Sequence, residues 1–165
     1  MNNNSIGVYP GAFDPITFGH IDIIKRSLKI VNHIIVAIGE NISKQTLFTI
    51  SERRELIEND IKATFQESKN IEIKTFQGLL TDFAKKNNAT CIIRGLRVVS
   101  DFEYEFQMTG MNYQLNPNIE TIFLMSTDKK SFISSKLVKE VHHLGGDVSD
   151  FVSQNTIFNL DKKNI

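Results

Sequence analysis

The segment 10–20 carries residue types that phosphate chemistry needs. It reads Pro-Gly-Ala-Phe-Asp-Pro-Ile-Thr-Phe-Gly-His and lies between an apolar run, 6–9, and an amphipathic stretch, 21–31. This order predicts a strand, a tight turn and a helix, whose N-terminal N–H groups would be a natural seat for phosphate. His20 adds a donor that can carry charge near neutral pH, which points to phosphoryl or nucleotidyl transfer. A turn whose histidine merely begins a helix is the alternative, and His20 alone does not decide between them.

Other cationic and hydroxyl side chains also follow apolar runs. Lys44 follows the run 34–38, Arg94 and Arg97 follow the run 91–93, and the serine-rich segment 131–135 follows the run 121–125. Each has a simpler interpretation, as a solvated surface charge or as a helix N-cap. Together they predict one crevice that binds phosphate, because a guanidinium at the mouth of a sheet needs a partner for its fork of donors.

The alternation of apolar runs and helical periods predicts the fold. Five short apolar runs read as strands, at 6–9, 34–38, 71–75, 91–93 and 121–125. Helices with capping boxes begin after Thr49 and Ser100, a shorter helix covers 79–87, and another begins at Ser134 or Ser135. We therefore expect an α/β fold, a Rossmann-like doubly wound five-stranded parallel sheet with helices on both faces. Ligands bind such sheets outside the carboxyl ends of the strands.

Composition narrows the classes further. The 165 residues predict one domain, 1–165, with frayed ends at 1–5 and 160–165. Lys plus Arg balances Asp plus Glu, 19 against 19, so no overall charge attracts nucleic acid or an anionic membrane. We find no apolar run long enough for a transmembrane helix, no signal peptide and no Cys/His metal spacing. The single cysteine, Cys91, lies in an apolar run and is expected to be buried and inert, which suits the cytoplasm.

The combined motifs resemble those of a known enzyme family. Thr17-Phe18-Gly19-His20 matches the T/H-x-G-H signature of the nucleotidylyltransferases. The fuller set is similar to the bacterial phosphopantetheine adenylyltransferases over residues 6–152. Its blocks are Tyr-Pro-Gly-Ala-Phe-Asp-Pro-Ile-Thr-Phe-Gly-His-Ile-Asp at 9–22, Phe-Thr-Ile-Ser-Glu-Arg at 48–53, Ile-Arg-Gly-Leu-Arg at 93–97, Asp-Phe-Glu-Tyr-Glu at 101–105, Ser-Phe-Ile-Ser-Ser at 131–135 and Leu-Val-Lys-Glu-Val at 137–141.

The resemblance implies an activity and a set of site residues. The reaction would transfer the adenylyl group of ATP to 4′-phosphopantetheine, giving 3′-dephospho-coenzyme A and pyrophosphate, with Mg²⁺ arriving on ATP. His20 would stabilise charge that develops at the α-phosphate. Acceptor contacts would come from Ala12, Lys44, Leu80 and Arg94. ATP contacts would come from Ala12, Phe13, His20, Gly95, Leu96, Arg97, Glu105, Lys130, Ser131, Phe132, Ile133, Ser134, Ser135 and Lys136. The resemblance also implies a cytoplasmic homohexamer, with dephospho-coenzyme A or coenzyme A as product or inhibitor.

Three residues depart from the pattern of that family. Ala12 stands where the family usually has Thr or Ser, Lys130 where it commonly has an aromatic residue, and Lys136 where it commonly has Ser. The loss of the hydroxyl at Ala12 is the one feature that favours a different class, a non-catalytic nucleotide or coenzyme A sensor. Another transferase of the superfamily, acting on nicotinamide mononucleotide or on a cytidine nucleotide, is the remaining alternative. The aromatic helix that contains Phe102 and Phe106 is expected either in the core or against a neighbouring copy.

Overall fold

A parallel sheet with helices between its strands forms the body of the molecule. The structure is a computed structural model, which describes residues 5–40, 45–97, 99–126 and 133–163. Its strands are β1 (Ile6–Gly11), β2 (His33–Gly39), β3 (Ile71–Phe76), β4 (Cys91–Leu96) and β5 (Glu120–Met125). Its helices are α1 (Phe18–Ser27), α2 (Ile50–Thr64), α3 (Leu80–Lys86), α4 (Val99–Leu115), α5 (Ser135–His143) and α6 (Gln154–Lys162).

The sequential order of the strands across the sheet reverses at β1. The order is β3-β2-β1-β4-β5, and all of the neighbouring strands are parallel. β1 pairs with β2 along its whole length, from Ile6–His33 to Gly11–Ile38. In contrast, β1 and β4 pair at Gly7–Cys91 and Val8–Ile92 and then separate. The gap that opens beyond Val8 is the switch point at which doubly wound sheets bind ligands, and the predicted fold class is confirmed.

Apolar clusters cover both faces of the sheet. The larger cluster joins Ile34, Val36 and Ile38 of β2 to helices α1, α2, α5 and α6. The smaller cluster joins Ile35 and Ala37, which alternate with them, to α3 and to the segment before β5. Burial on both faces explains why β2 is a near-continuous run of β-branched residues. Cys91 is buried as expected, and burial raises the pKa of its thiol.

Local signals account for most of the helix boundaries. Thr49 caps α2 in the predicted capping box, since its hydroxyl accepts from Glu52 N while Glu52 accepts from Thr49 N. α5 begins after Ser134, and α4 ends at Leu115, two residues before Pro117. Ser100 was the predicted capping residue of α4, but it lies inside this helix, which already includes Val99.

Both predicted frayed ends are wrong where the structure describes them. Ser5 is tied to the end of the loop before β2, because its hydroxyl donates to Asn32 Oδ1 at 2.7 Å. At the other end, 160–163 belong to α6 and its cap: Leu160 is fully buried, and Lys163 Nζ lies 2.8 Å from Glu52 Oε1. The polar residues near the end of the sequence belong to an amphipathic helix, α6. Residues 1–4 and 164–165 lie outside the described residues.

Helix α4 leaves an apolar surface uncovered. Phe106 is 64% exposed and Met111 is 61% exposed, so the aromatic helix does not enter the core of this chain. Its other exposed large apolar residues are Phe102, Tyr104, Met108, Tyr113 and Leu115. Of the two expectations for this helix, packing in the core is therefore ruled out within one chain.

Candidate active site

A crevice opens where β1 and β4 diverge. Its volume is about 590 Å³. It is walled by the loop 11–17, the start of α1, the ends of β4 and β5, part of α4 and the start of α5. The lining residues are Tyr9, Pro10, Gly11, Ala12, Phe13, Thr17, Gly19, His20, Ile23, Arg94, Gly95, Arg97, Tyr104, Glu105, Ser126, Ile133, Ser134, Ser135 and Lys136.

Most of the predicted site residues that the structure describes meet in this crevice. Those that line it are Ala12, Phe13, His20, Arg94, Gly95, Arg97, Glu105, Ile133, Ser134, Ser135 and Lys136. Leu80 does not: it lies on α3 and packs against the smaller apolar cluster. Leu96 is buried at the end of β4 and is not a lining residue either. The predictions for Lys44, Lys130, Ser131 and Phe132 fall outside the described residues.

His20 is held by the start of its own helix. Thr17 caps α1, and its hydroxyl accepts from His20 N at 3.4 Å while His20 Nδ1 accepts from Thr17 N at 3.0 Å. This is a capping box with a histidine in the place of the usual Glu or Gln. The spacing Thr-x-x-His therefore has a structural cause, since the same bonds that begin the helix orient the imidazole.

The capping bond fixes the tautomer of His20. A backbone N–H can only donate, so Nδ1 is the acceptor and Nε2 carries the proton of the neutral ring. Burial, chiefly, and the positive charge of Arg97 lower the pKa of His20 to about 4. The sequence indicated a donor that can carry charge near neutral pH, but at this pKa the ring does not carry that charge. It offers a neutral Nε2–H instead, on the side of the ring away from Thr17.

Phe13 supports the site with its ring and faces the crevice with its backbone. The residue is only 1% exposed, and its ring packs edge-on against the rings of Tyr9 and His20, with centroids 5.5 and 5.0 Å away. The residue has a φ of 50°, in the left-handed region that non-glycine residues rarely adopt. Since the ring carries no hydrogen-bonding group, only the main chain of Phe13 can donate to a ligand in the crevice.

Arg94 has partners that the sequence did not indicate. Its Nε donates to Glu105 Oε2 at 2.7 Å, Nη2 donates to Glu105 Oε1, and Nη1 donates to Pro10 O at 3.0 Å. The expected empty fork of donors is therefore occupied by a carboxylate of α4. Of the five N–H donors of an arginine, these bonds use three, which leaves two without a partner among the described residues.

Helix packing requires a residue without a side chain at position 95. A Cβ at this position would lie 3.1 Å from Ile23 Cγ1. The absence of a side chain therefore lets α1 approach β4 closely, which brings the His20 end of α1 and the Arg94 end of β4 to the same crevice.

The start of α5 forms the opposite wall. Ser134 caps this helix, since its hydroxyl accepts from Leu137 N at 3.1 Å, and Ser135 Oγ donates to Pro15 O at 2.7 Å. Lys136 is exposed beside them. The serine bond to Pro15 ties this wall to the first loop, and the N–H groups of the first turn add positive potential.

Sequence reasoning missed Tyr9. Its hydroxyl lies near Gly95, and its ring lines the crevice beside Phe13. Burial raises the pKa of Tyr9 against the opposing charges of Arg94 and Arg97, so the hydroxyl keeps its proton. The available signal was the hydroxyl of Tyr9 at the end of the predicted apolar run 6–9, immediately before the first loop.

Comparisons with known proteins define the class of this site. The family model described as cytidylyltransferase-like matches residues 8–141. Among solved structures, the nicotinic acid mononucleotide adenylyltransferase of Plasmodium falciparum superposes with a TM-score of 0.70 at 19% identity, covering 98% of this chain and 97% of that one. The chain thus belongs to the cytidylyltransferase-like class and shares its fold with this adenylyltransferase.

Two curated relatives give the particular family. The phosphopantetheine adenylyltransferase of Wolbachia pipientis from Culex pipiens is 52% identical over 163 residues, 97% of this chain and 95% of the relative. The protein of the same name from Caldanaerobacter subterraneus is 52% identical over 147 residues, 89% of each chain. The chain belongs to the phosphopantetheine adenylyltransferase family, and the resemblance seen in its motifs is confirmed.

Proposed function

We propose that the chain transfers the adenylyl group of ATP to 4′-phosphopantetheine, with 3′-dephospho-coenzyme A and pyrophosphate as products. The observation that carries the proposal is the convergence of His20, Arg94, Arg97 and the start of α5 on one crevice at the switch point of the sheet. The attack of a phosphate on the α-phosphorus needs no nucleophile from the protein. It needs two mutually repelling anions held in line, with donors for the charge that develops.

His20 acts on the reacting phosphate in this proposal. Its neutral Nε2–H donates to an oxygen of the α-phosphate, and the charge on that oxygen grows in the transition state. The donor is preorganised by the capping bonds to Thr17. Ring packing against Phe13 and Tyr9 holds the imidazole further.

The two substrates bind on either side of His20. The acceptor phosphate binds the two remaining donors of Arg94 together with Lys44, and Ala12 lines the same crevice as Arg94. The nucleotide binds to Gly95, Arg97 and the segment 130–136, which includes the start of α5. Glu105 acts through Arg94, because both of its oxygens accept from that guanidinium.

Mg²⁺ enters with the nucleotide in this proposal. Magnesium is usually bound through one or two carboxylates plus substrate phosphates. Within the described ranges, no group of three His, Cys, Asp or Glu side chains is placed to hold a metal ion. The triphosphate itself would therefore supply most of the ligands, and the ion would supply Lewis-acid stabilisation of the phosphate charge.

The exposed face of α4 supports self-association as a hexamer. Large apolar side chains such as Phe106 and Met111 are exposed along this helix, and exposed apolar surface marks interaction sites. Sedimentation equilibrium on the purified chain tests this part of the proposal, with a monomer mass as the contrary result. We further propose a cytoplasmic location and binding of coenzyme A as product-like inhibitor. No helix in the described part of the chain is long and apolar enough to cross a membrane.

Pyrophosphate release tests the central proposal. Purified protein with Mg²⁺, ATP and 4′-phosphopantetheine should release pyrophosphate and form dephospho-coenzyme A, identified by mass. Nicotinamide mononucleotide in place of phosphopantetheine should release none. A protein that binds both substrates without turnover is a sensor, and one that uses only nicotinamide mononucleotide is a different transferase.

Arg94→Ala tests the division of the crevice between substrates. Removing a charge-assisted bond weakens binding by about 1.5–3 kcal/mol, or roughly 10- to 150-fold. We expect the Kd of 4′-phosphopantetheine to rise by that factor and the Kd of ATP to rise much less. Arg54→Ala is the matched control, because Arg54 pairs with Glu58 on the surface of α2. Equal weakening of both substrates by Arg94→Ala would remove this assignment.

A further inference from the structure

A buried charged cluster lies behind the first loop, outside the crevice. It consists of Asp14, which is 5% exposed, Arg53, which is 3% exposed, and the half-buried Lys139. None of these three residues lines the crevice. Burying charge in this way is unfavourable unless each group is well bonded, so their contacts indicate what the cluster holds.

Arg53 binds the main chain at the ends of two strands. Its Nη1 donates to Ala12 O at 2.7 Å, just beyond β1, and lies 3.4 Å from Gly39 O, the last residue of β2. Nε is buried and has no partner among the described residues. Burial lowers the pKa of this guanidinium, whereas the charges of Asp14 and Glu40 raise it. A buried arginine is thus used to fix carbonyl groups, with no carboxylate in ion-pair contact among the described residues.

Asp14 ties the same loop to two helices by a different route. Its carboxylate accepts from Leu47 N at 3.0 Å and Phe48 N at 2.9 Å, in the segment before α2. It also accepts from Lys139 Nζ of α5 at 2.5 Å. These bonds fix the side chain of Asp14, whereas Arg53 fixes the Ala12–Phe13 peptide itself.

The orientation of that peptide matters for the crevice. The C=O and N–H of a trans peptide point in opposite directions, so a carbonyl of Ala12 held by Arg53 directs Phe13 N–H away from Arg53. Phe13 N has no hydrogen-bond partner among the described residues. Phe13 lines the crevice and Arg53 does not, so the N–H directed away from Arg53 is the main-chain donor that Phe13 offers on the crevice side.

We propose that Arg53 is a positioning residue for adenylyl transfer, which holds the Ala12 carbonyl so that Phe13 N–H is presented to a phosphate oxygen in the crevice. The proposal rests on the proposed function for its kinetic consequence. It also explains the left-handed φ of Phe13, since a residue in this rarely populated region must be held by its surroundings.

Two measurements on the unmodified protein and its variants test the proposal. In ¹H–¹⁵N spectra, a nonhydrolysable ATP analogue with Mg²⁺ should shift the Phe13 amide proton strongly downfield in wild type. The shift should disappear in Arg53→Met and return in part in Arg53→Lys, whose ammonium can bind only part of the same set. Arg54→Ala, one residue away and exposed, should match wild type.

The kinetic readout separates positioning from general damage to the fold. For Arg53→Met, we expect kcat to fall at least 10-fold while the KM values change less than 3-fold, measured well below the Tm of the variant. Arg53→Lys should recover part of kcat. Wild-type kcat in a folded Arg53→Met protein would overturn the proposal. If neither variant folds, a Phe13 amide in wild type that does not respond to the analogue overturns it.

Failure of the proposed function gives a different result. In that case, wild type releases no pyrophosphate from ATP and 4′-phosphopantetheine, but the amide shift with the ATP analogue still reports whether Arg53 presents the Phe13 N–H. If Arg53→Met loses the amide response but keeps the turnover of wild type, only the positioning role is contradicted.

Discussion

The crevice side and the rear side of the first loop are built from similar residue types that do different work. Arg94 and Arg53 each donate to a carbonyl at the end of β1, Pro10 O at 3.0 Å and Ala12 O at 2.7 Å. Arg94 lines the crevice with its charge balanced by Glu105, and Arg53 lies buried on the far side of the loop.

This difference shows that solvent exposure determines the role of each arginine. A guanidinium at the edge of a solvent-filled crevice keeps donors for an anion and can exchange partners. A guanidinium that is 3% exposed cannot meet a substrate, so it can act only through the backbone that it holds. Substitutions on the crevice side should therefore change chemistry or affinity, whereas those on the rear side should act through stability or geometry.

Among substitutions on the crevice side, we expect the largest loss of activity from replacement of His20. His20→Ala removes the preorganised donor and should lower kcat roughly 10²–10³-fold. It also removes the acceptor for Thr17 N, which should lower the free energy of unfolding by about 1 kcal/mol. Steady-state kinetics at saturating substrate concentrations measures kcat, and chemical denaturation measures the free energy of unfolding.

His20→Gln separates these two contributions. Glutamine is a regular capping-box residue at this position, so its side chain can again accept from Thr17 N. We expect stability to return close to that of wild type while kcat stays at least 10-fold lower. Wild-type kcat in His20→Ala would remove the imidazole from the mechanism.

Two capping serines offer a matched pair of smaller effects. Ser134 caps α5 in the crevice wall, whereas Ser153 caps α6 and does not line the crevice. Their hydroxyls accept from Leu137 N at 3.1 Å and from Thr156 N at 3.2 Å. Replacing either by Ala should lower the free energy of unfolding by about 1 kcal/mol. Only Ser134→Ala should also raise the KM for ATP, by about 2- to 10-fold, the worth of one hydrogen bond. An equal change in KM for Ser153→Ala would contradict the division into two sides.

The smallest expected effect is the response of His20 to pH. With a pKa of about 4, the ring stays neutral from pH 8 to pH 5.5 and gains its proton only as the pH falls further. A charged donor with the ordinary pKa near 6.5 would instead lose its proton as the pH rises through that value. Imidazole ¹⁵N shifts, assigned by their loss in His20→Gln, should show the Nε2–H tautomer throughout this range. An imidazolium at pH 6 would contradict it.

Several parts of the molecule were predictable from local patterns. The buried run of β2 predicted a central strand, because a parallel strand covered on both faces has no polar side. The Thr49–Glu52 spacing predicted the start of α2, because a capping box is formed by neighbours in the chain. Residues that follow strands predicted the crevice, because the carboxyl ends of parallel strands share one edge of the sheet.

Other parts were not predictable, because they depend on partners far apart in the chain. The polar end of the chain was expected to fray, yet the fully buried Leu160 holds α6 in the core. Glu105 lines the crevice, but its pairing with Arg94 was not indicated by the sequence, because the two residues lie on different elements. The low pKa of His20 arises from burial, chiefly, and from Arg97, and spacing reveals neither.

The sequence by itself determined the strand–helix alternation, the family and the edge of the sheet where ligands bind, since these follow from short-range periodicity and from residues that lie next to each other in the chain. Only the tertiary structure decided which cation faces the crevice and which lies behind it, the protonation state of His20, and the exposure of α4. Each of these depends on solvent access and on charges brought together by packing, which are properties of the folded chain.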